Sequence, residues 1–217
     1  PAAVKRGMII SFATATALGL GIVSLTGPAV LFLALACLAV AVLYTGGPVP
    51  LGYVALGEVA VFLTMGVAIV TGSYLALSGT ITPMVLVIAL PNAFLITSLI
   101  HINNLRDVDR DRQAGKRTVA MSLGHDRSVA AYAILVAAAY VSVGLIVVLT
   151  PHFWPMLAVA VTVPRAFTLA RAVRDAGTER AYSMALRGTN RLLTEFGLLM
   201  AAGLLAGAAL SGTLLVP

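Results

Sequence analysis

The chain has 217 residues, 60% hydrophobic and only 10% charged, with 14 basic and 8 acidic side chains, a net charge of +6 and a mean hydropathy of +1.02. Soluble domains carry about 25% charged residues, so a water-facing surface is excluded and the chain reads as an integral membrane protein. The single cysteine, Cys37, lies in an apolar run and rules out an intramolecular disulfide.

Four stretches carry no charge at all: 7–57, 59–105, 128–164 and 196–217. A spanning helix needs about 20 mainly apolar residues, so the first three each hold two helices and a turn, and the fourth holds one. Turn signals at Gly27-Pro28, 79–83 and 150–155 divide them. The predicted helices are 6–26, 29–44, 56–78, 82–104, 128–149, 153–172 and 191–214, an all-α polytopic transmembrane bundle of seven helices. A β-barrel would need short strands of alternating polarity, and these runs do not alternate.

With the start of the chain in the cytoplasm, the turns near 27, 80 and 151 and the C-terminus fall on the far side and carry no charge. Lys5, Arg6 and the stretches 106–127 and 165–191 then hold every basic residue on the cytoplasmic side, as the positive-inside rule requires. The expected location is a cell membrane, multi-pass, with the charged loops cytoplasmic. The net +6 is a signal of topology, and nucleic acid is a poor explanation for it.

The segment 101–126 follows directly from an apolar helix and reads HINNLRDVDRDRQAGKRTVAMSLGHD. On a continuing helix Asp107 and Asp111 share one face, Asn103 and Asn104 stand one turn earlier, and Asp109 points elsewhere. Oxygen ligands without His or Cys suit magnesium, which takes one or two carboxylates, several waters and substrate phosphate oxygens. Arg106, Arg110, Arg112, Lys116 and Arg117 surround the acids and can bind a phosphorylated substrate. Gly115 lets the backbone turn before Lys116. The combination reads as a magnesium-diphosphate site; a cytoplasmic loop that alternates Asp and Arg for solubility remains an equal alternative on spacing alone.

A second segment, 44–58, reads YTGGPVPLGYVALGE and cannot be a continuous helix. It either caps a cavity and offers backbone N–H groups to phosphate or is an ordinary interhelical loop, the simpler account. A third, 171–195, is read as cytoplasmic chain before the last helix, with Arg191 and Glu195 able to pair. Arg165, two turns inside its helix, is most simply explained by snorkelling to the interface. His101, His125 and His152 have no metal-ligand spacing, and no nucleophile motif supports hydrolase chemistry.

The stretch 103–118, NNLRDVDRDRQAGKRT, with Leu123-Gly124 after it, resembles the second aspartate-rich motif of the UbiA-type membrane prenyltransferases, and most narrowly their 1,4-dihydroxy-2-naphthoate polyprenyltransferase branch. The segment 44–58 resembles a cytoplasmic loop of the same branch. The resemblance implies a nine-helix fold in which these seven helices correspond to the third to ninth. It also implies that 1–217 is a single membrane prenyltransferase domain lacking two helices and a first aspartate motif before Pro1. It further implies transfer of a polyprenyl group from polyprenyl diphosphate to 1,4-dihydroxy-2-naphthoate with decarboxylation, giving demethylmenaquinone, with Mg2+ as cofactor and the lipid bilayer as setting. Asp107 and Asp111 match the catalytic metal-binding aspartates; Asn103, Asn104, Arg106, Lys116 and Arg117 match diphosphate-binding positions; Tyr44 matches a tyrosine near the substrate pocket. Other aromatic acceptors, 4-hydroxybenzoate, homogentisate or chlorophyllide, stay open, as do a CDP-alcohol phosphotransferase and a noncatalytic scaffold or transporter. Charges clustered at one face favour an interfacial phosphate site over a transport path.

Overall fold

The computed structural model describes residues 2–212, so Pro1 and the last residues of the helix expected to end at 214 lie outside the described part. Among the described residues seven helices are long and apolar enough to cross a membrane: α1 Ala2–Thr26, α2 Pro28–Thr45, α3 Gly57–Ser78, α4 Pro83–Arg106, α7 His125–Leu149, α8 Pro151–Arg174 and α9 Glu179–Leu210. Two short helices, α5 Val108–Gln113 and α6 Val119–Leu123, lie between α4 and α7. Among the described residues there is no strand, only a single parallel bridge between Val54 and Arg117.

The boundaries follow local chemistry. Pro28 and Pro83 sit in the first turns of their helices, where a missing N–H costs nothing. Thr82 caps α4 by accepting from the Val85 N–H, and Gly79 ends α3 in the left-handed region at φ 74. The largest departure from the predicted elements is α9, which starts at Glu179 instead of 191. Thr178 caps it by accepting from the Ala181 N–H, and 179–190, expected as loop, forms its first turns. At about 1.5 Å per residue its 32 residues exceed a hydrocarbon core of about 30 Å, so a charged first third standing beyond the apolar layer satisfies both helix and membrane.

The core lies among α4, α7, α8 and α9. Leu95, Ile102, Tyr132, Ile146, Met156 and Phe196 are enclosed there. Polar atoms inside it are paired: Tyr132 and Thr189 hydroxyls lie 2.7 Å apart, as do those of Tyr140 and Thr162. Pairing is obligatory where no water replaces a lost partner. The first half of α8, Pro151–Thr162, winds in tight 3-10 turns kinked at Phe153 (φ −85, ψ 15) and packs on α9. In α3 the turn Phe62–Ala68 widens into a π-helix. By contrast α1 and α2 bury none of their residues, and they pack on each other and on α3.

Arg165 is not left to snorkel. Its Nε lies 2.9 Å from Glu195 Oε2, while Arg191 Nε donates to Glu195 Oε1 at 2.8 Å. One carboxylate thus serves two arginines, the pairing expected of charges at membrane depth.

Candidate functional site

Three connections meet at one end of the bundle: the loop 46–56, the segment 107–124 and the turn 175–178. Backbone bonds tie the first two. Ala55 N–H donates to Arg117 O at 2.7 Å, and Arg117 N–H donates to Tyr53 O at 2.9 Å. A salt bridge from Arg110 to Glu179 at the start of α9 joins the third. The glycine-rich segment is therefore more than a passive linker, because it pairs directly with the aspartate segment.

The helix α4 ends at Arg106, and Asp107 stands between α4 and α5 with φ −97 and ψ 10. The expected continuous helix is broken there. One helical hydrogen bond still crosses the break, Asp111 N–H to Asp107 O at 2.8 Å, so the two aspartates remain one turn apart. At the other end of α5, Gly115 takes φ +73. Its N–H donates to Arg112 O, and the Lys116 N–H donates to Asp111 O at 2.9 Å, a Schellman arrangement that only a residue free to enter the left-handed region closes easily. That turn folds Lys116 back so that Nζ lies 2.8 Å from Asp111 Oδ1 and 5.4 Å from the centre of the Tyr53 ring.

Both aspartates are thus gripped by cations. Arg106 holds Asp107 through two bonds, Nε to Oδ1 at 2.8 Å and Nη2 to Oδ2 at 2.7 Å. This hydrogen-bonded guanidinium keeps the Asp107 carboxyl below its ordinary value, against the opposing effect of burial. The bond to Asp111 likewise raises the Lys116 ammonium above its ordinary value. Asp111 is buried, whereas the Asp109 side chain is fully in solvent. The Arg117 side chain is exposed and has no polar partner among the described residues.

The two asparagines part company. Asn103 Oδ1 accepts from Arg106 Nη2 at 2.9 Å, while Asn104 Nδ2 donates to Glu58 Oε1 at 2.9 Å. Glu58 is buried at the start of α3, and His101 Nδ1 stands 3.5 Å from the same oxygen. The opposite ring nitrogen of His101 meets the Ser128 carbonyl at 3.1 Å. A carbonyl only accepts, so Nε2 is the donor there. The second Glu58 oxygen, Oε2, is buried and has no partner among the described residues. Tyr44 lies over Gly52 and Gly57, and a side-chain carbon on Gly57 would stand 3.2 Å from its hydroxyl. Sequence reasoning missed Glu58 and His101. The available signal was the isolation of Glu58, a lone acid between two long charge-free stretches.

Beneath the loops an apolar cavity of about 750 Å³ opens among α3, α4 and α9, walled by Val61, Met65, Ile96 and Ile100. Its polar lining is Asn103, Arg187 and Asn190. A larger apolar groove, about 1060 Å³, runs between α1, α2 and α3 and shares Met65 with the first. Among the described residues no three His, Cys, Asp or Glu side chains converge as a closed metal cage. What is present, two carboxylates one turn apart beside strong anion binders, fits an ion that draws its remaining ligands from water and substrate phosphate.

These features define a polytopic helical membrane protein with a charged face closing over apolar cavities. The model of the UbiA prenyltransferase family matches residues 3–187, and the chain belongs to that family. It is 32% identical over 209 residues to a protein of Mycobacterium leprae named 1,4-dihydroxy-2-naphthoate octaprenyltransferase, covering 95% of this chain and 70% of that protein. A Bacillus subtilis protein of the same name is 28% identical, over 94% of this chain and 66% of its own length. UbiA prenyltransferase domain-containing protein 1 of Danio rerio is 34% identical, over 75% of this chain and 46% of its own. The chain therefore spans about two thirds of the bacterial relatives and less than half of the fish protein.

Proposed function

We propose that the protein transfers a polyprenyl group from polyprenyl diphosphate to 1,4-dihydroxy-2-naphthoate, with loss of the carboxylate as carbon dioxide, in the route to demethylmenaquinone. All seven spans belong to a single prenyltransferase domain in this reading, and the loop face lies in the cytoplasm. The observation that carries it is the pair Asp107 and Asp111, one turn apart and each holding a basic side chain. It stands at the end of α4, the helix that also walls the apolar cavity. The bacterial relatives' names support the choice of acceptor.

Asp107 and Asp111 would hold magnesium, which supplies charge neutralisation for the departing diphosphate. Arg106 and Lys116, already seated on those carboxylates, are placed to take diphosphate oxygens, and Asn103 and Asn104 hold the end of α4 around them. Donors fixed in advance where negative charge accumulates lower the barrier more than water does. The apolar walls of the cavity keep water from the allylic cation left behind, and the groove beside α1 and α2 suits the lipid tail. Tyr44 closes the site from the glycine-rich loop.

The test uses the full-length protein in lipid nanodiscs with magnesium, a polyprenyl diphosphate and the naphthoate. Asp107→Asn is expected to lower transfer by roughly a hundredfold or more, the cost typical of losing one element of transition-state charge stabilisation. Unchanged magnesium-dependent transfer by that variant would sink the reading.

A further inference from the structure

The cavity between α3, α4 and α9 contains a cation with nothing to pair with. Arg187 lines it, on the same stripe of α9 as Arg191 and Glu195. Two acids lie on that stripe, Glu179 and Glu195; Arg110 holds the first, and Arg165 and Arg191 share the second. Among the described residues Arg187 has neither an acidic partner nor a hydrogen bond. Arg187 is exposed where it lines the cavity, so its planar fork of donors is uncommitted beside the apolar wall and free to take an anion there.

The residue facing it across the cavity points the same way. Asn103 gives its oxygen to Arg106, which leaves the amide N–H2 as the part of its side chain still able to bond. The polar end of the cavity therefore presents donors: the Asn103 amide and the Arg187 fork, with the Asn190 amide beside them. The remaining walls named above are apolar and suited to a flat ring.

We infer that Arg187, assisted by Asn103, binds the carboxylate of the aromatic acceptor and so selects an aromatic acid over an uncharged phenol. A planar fork of donors matches a carboxylate bidentately. The diphosphate has its own cations, Arg106 and Lys116, which do not line this cavity. Asn103 is the link between the two groups, since its oxygen holds Arg106 while its amide faces the acceptor. The inference rests on the proposed prenyl transfer for its substrate, and on the cavity alone for the anion site.

The experiment compares wild type, Arg187→Gln and Arg187→Lys of the full-length protein in nanodiscs. Binding of 1-hydroxy-2-naphthoate and of 1-naphthol is measured by ligand fluorescence, and KM is measured for the dihydroxynaphthoate and for the prenyl diphosphate. Arg187→Gln is expected to weaken 1-hydroxy-2-naphthoate about ten- to a hundredfold, the loss expected for hydrogen bonds to a charged group. It should leave 1-naphthol and the prenyl diphosphate KM within about twofold, and Arg187→Lys should restore part of the loss. A rise in the diphosphate KM instead, or equal binding of both naphthalene ligands by wild type and Arg187→Gln, overturns the inference. If the naphthoate binds through Arg187 but wild type transfers no prenyl group to it, the anion site stands and the proposed reaction falls.

Discussion

At the loop face each acid of the aspartate segment is matched to a base, and the matching has a definite pH range. Asp107 sits below its ordinary value because Arg106 bonds its carboxylate. Its contribution is therefore present above the usual carboxylate range near about 4, and is lost as pH falls through the depressed value. Lys116 sits above its ordinary value because Asp111 accepts from it. Its contribution is present below about 10.4 and is lost as pH rises through the raised value. Both clamps hold between these limits. Amide-exchange protection of 107–117, corrected for intrinsic rates, is expected to be flat from about pH 5 to 9 and to drop on either side. The Asp pair was readable in the sequence because four-residue spacing alone places two side chains on one face. Glu58 and His101 were not, since their meeting depends on how α3 packs against α4, and only the solitary acid hinted at it.

At the scale of elements, small residues decide which helices approach. The α8–α9 contact is tight at Gly203, where a side-chain carbon would stand 2.5 Å from the Met156 Cα. Backbone cannot move aside as a flexible side chain can, so Gly203→Ala is expected to cost about 1–3 kcal/mol. Gly197, on the same helix with open space around its Cα, provides the control: Gly197→Ala should leave thermal stability in detergent unchanged. Spans α1 to α4 were legible to within a few residues because hydropathy alone sets them. The start of α9 was not, because the arginines and Glu179 in its first turns look like loop until Thr178 is seen to cap a helix. The same charges concealed Arg187, which reads as loop polarity in the sequence and lines a cavity in the fold.

For the whole molecule, seven spans and three tied connections make one end of the bundle polar and leave the other with uncharged turns. Single cysteines placed at Arg112 and at Gly79, in a background without Cys37, are expected to react with a membrane-impermeant maleimide from opposite sides of intact cells. The first should label only after the membrane is opened. Labelling of both from outside would overturn the assigned sidedness. The alternation was legible because a bilayer admits few arrangements of long apolar runs, whereas the cavities were not, since they depend on which faces meet. The widened turn at Phe62–Ala68 bears on this directly. One additional residue in a turn advances everything beyond it by a single position, which on a spiral of 3.6 residues is a rotation of about 100°. The Gly57 end of α3 presents Glu58 to Asn104, and the Ser78 end brings Gly72 to the Leu33 side chain. Those two partners are met at different phases of the same rod. An evenly wound α3 would satisfy the polar end or the lipid-facing end, but not both at once.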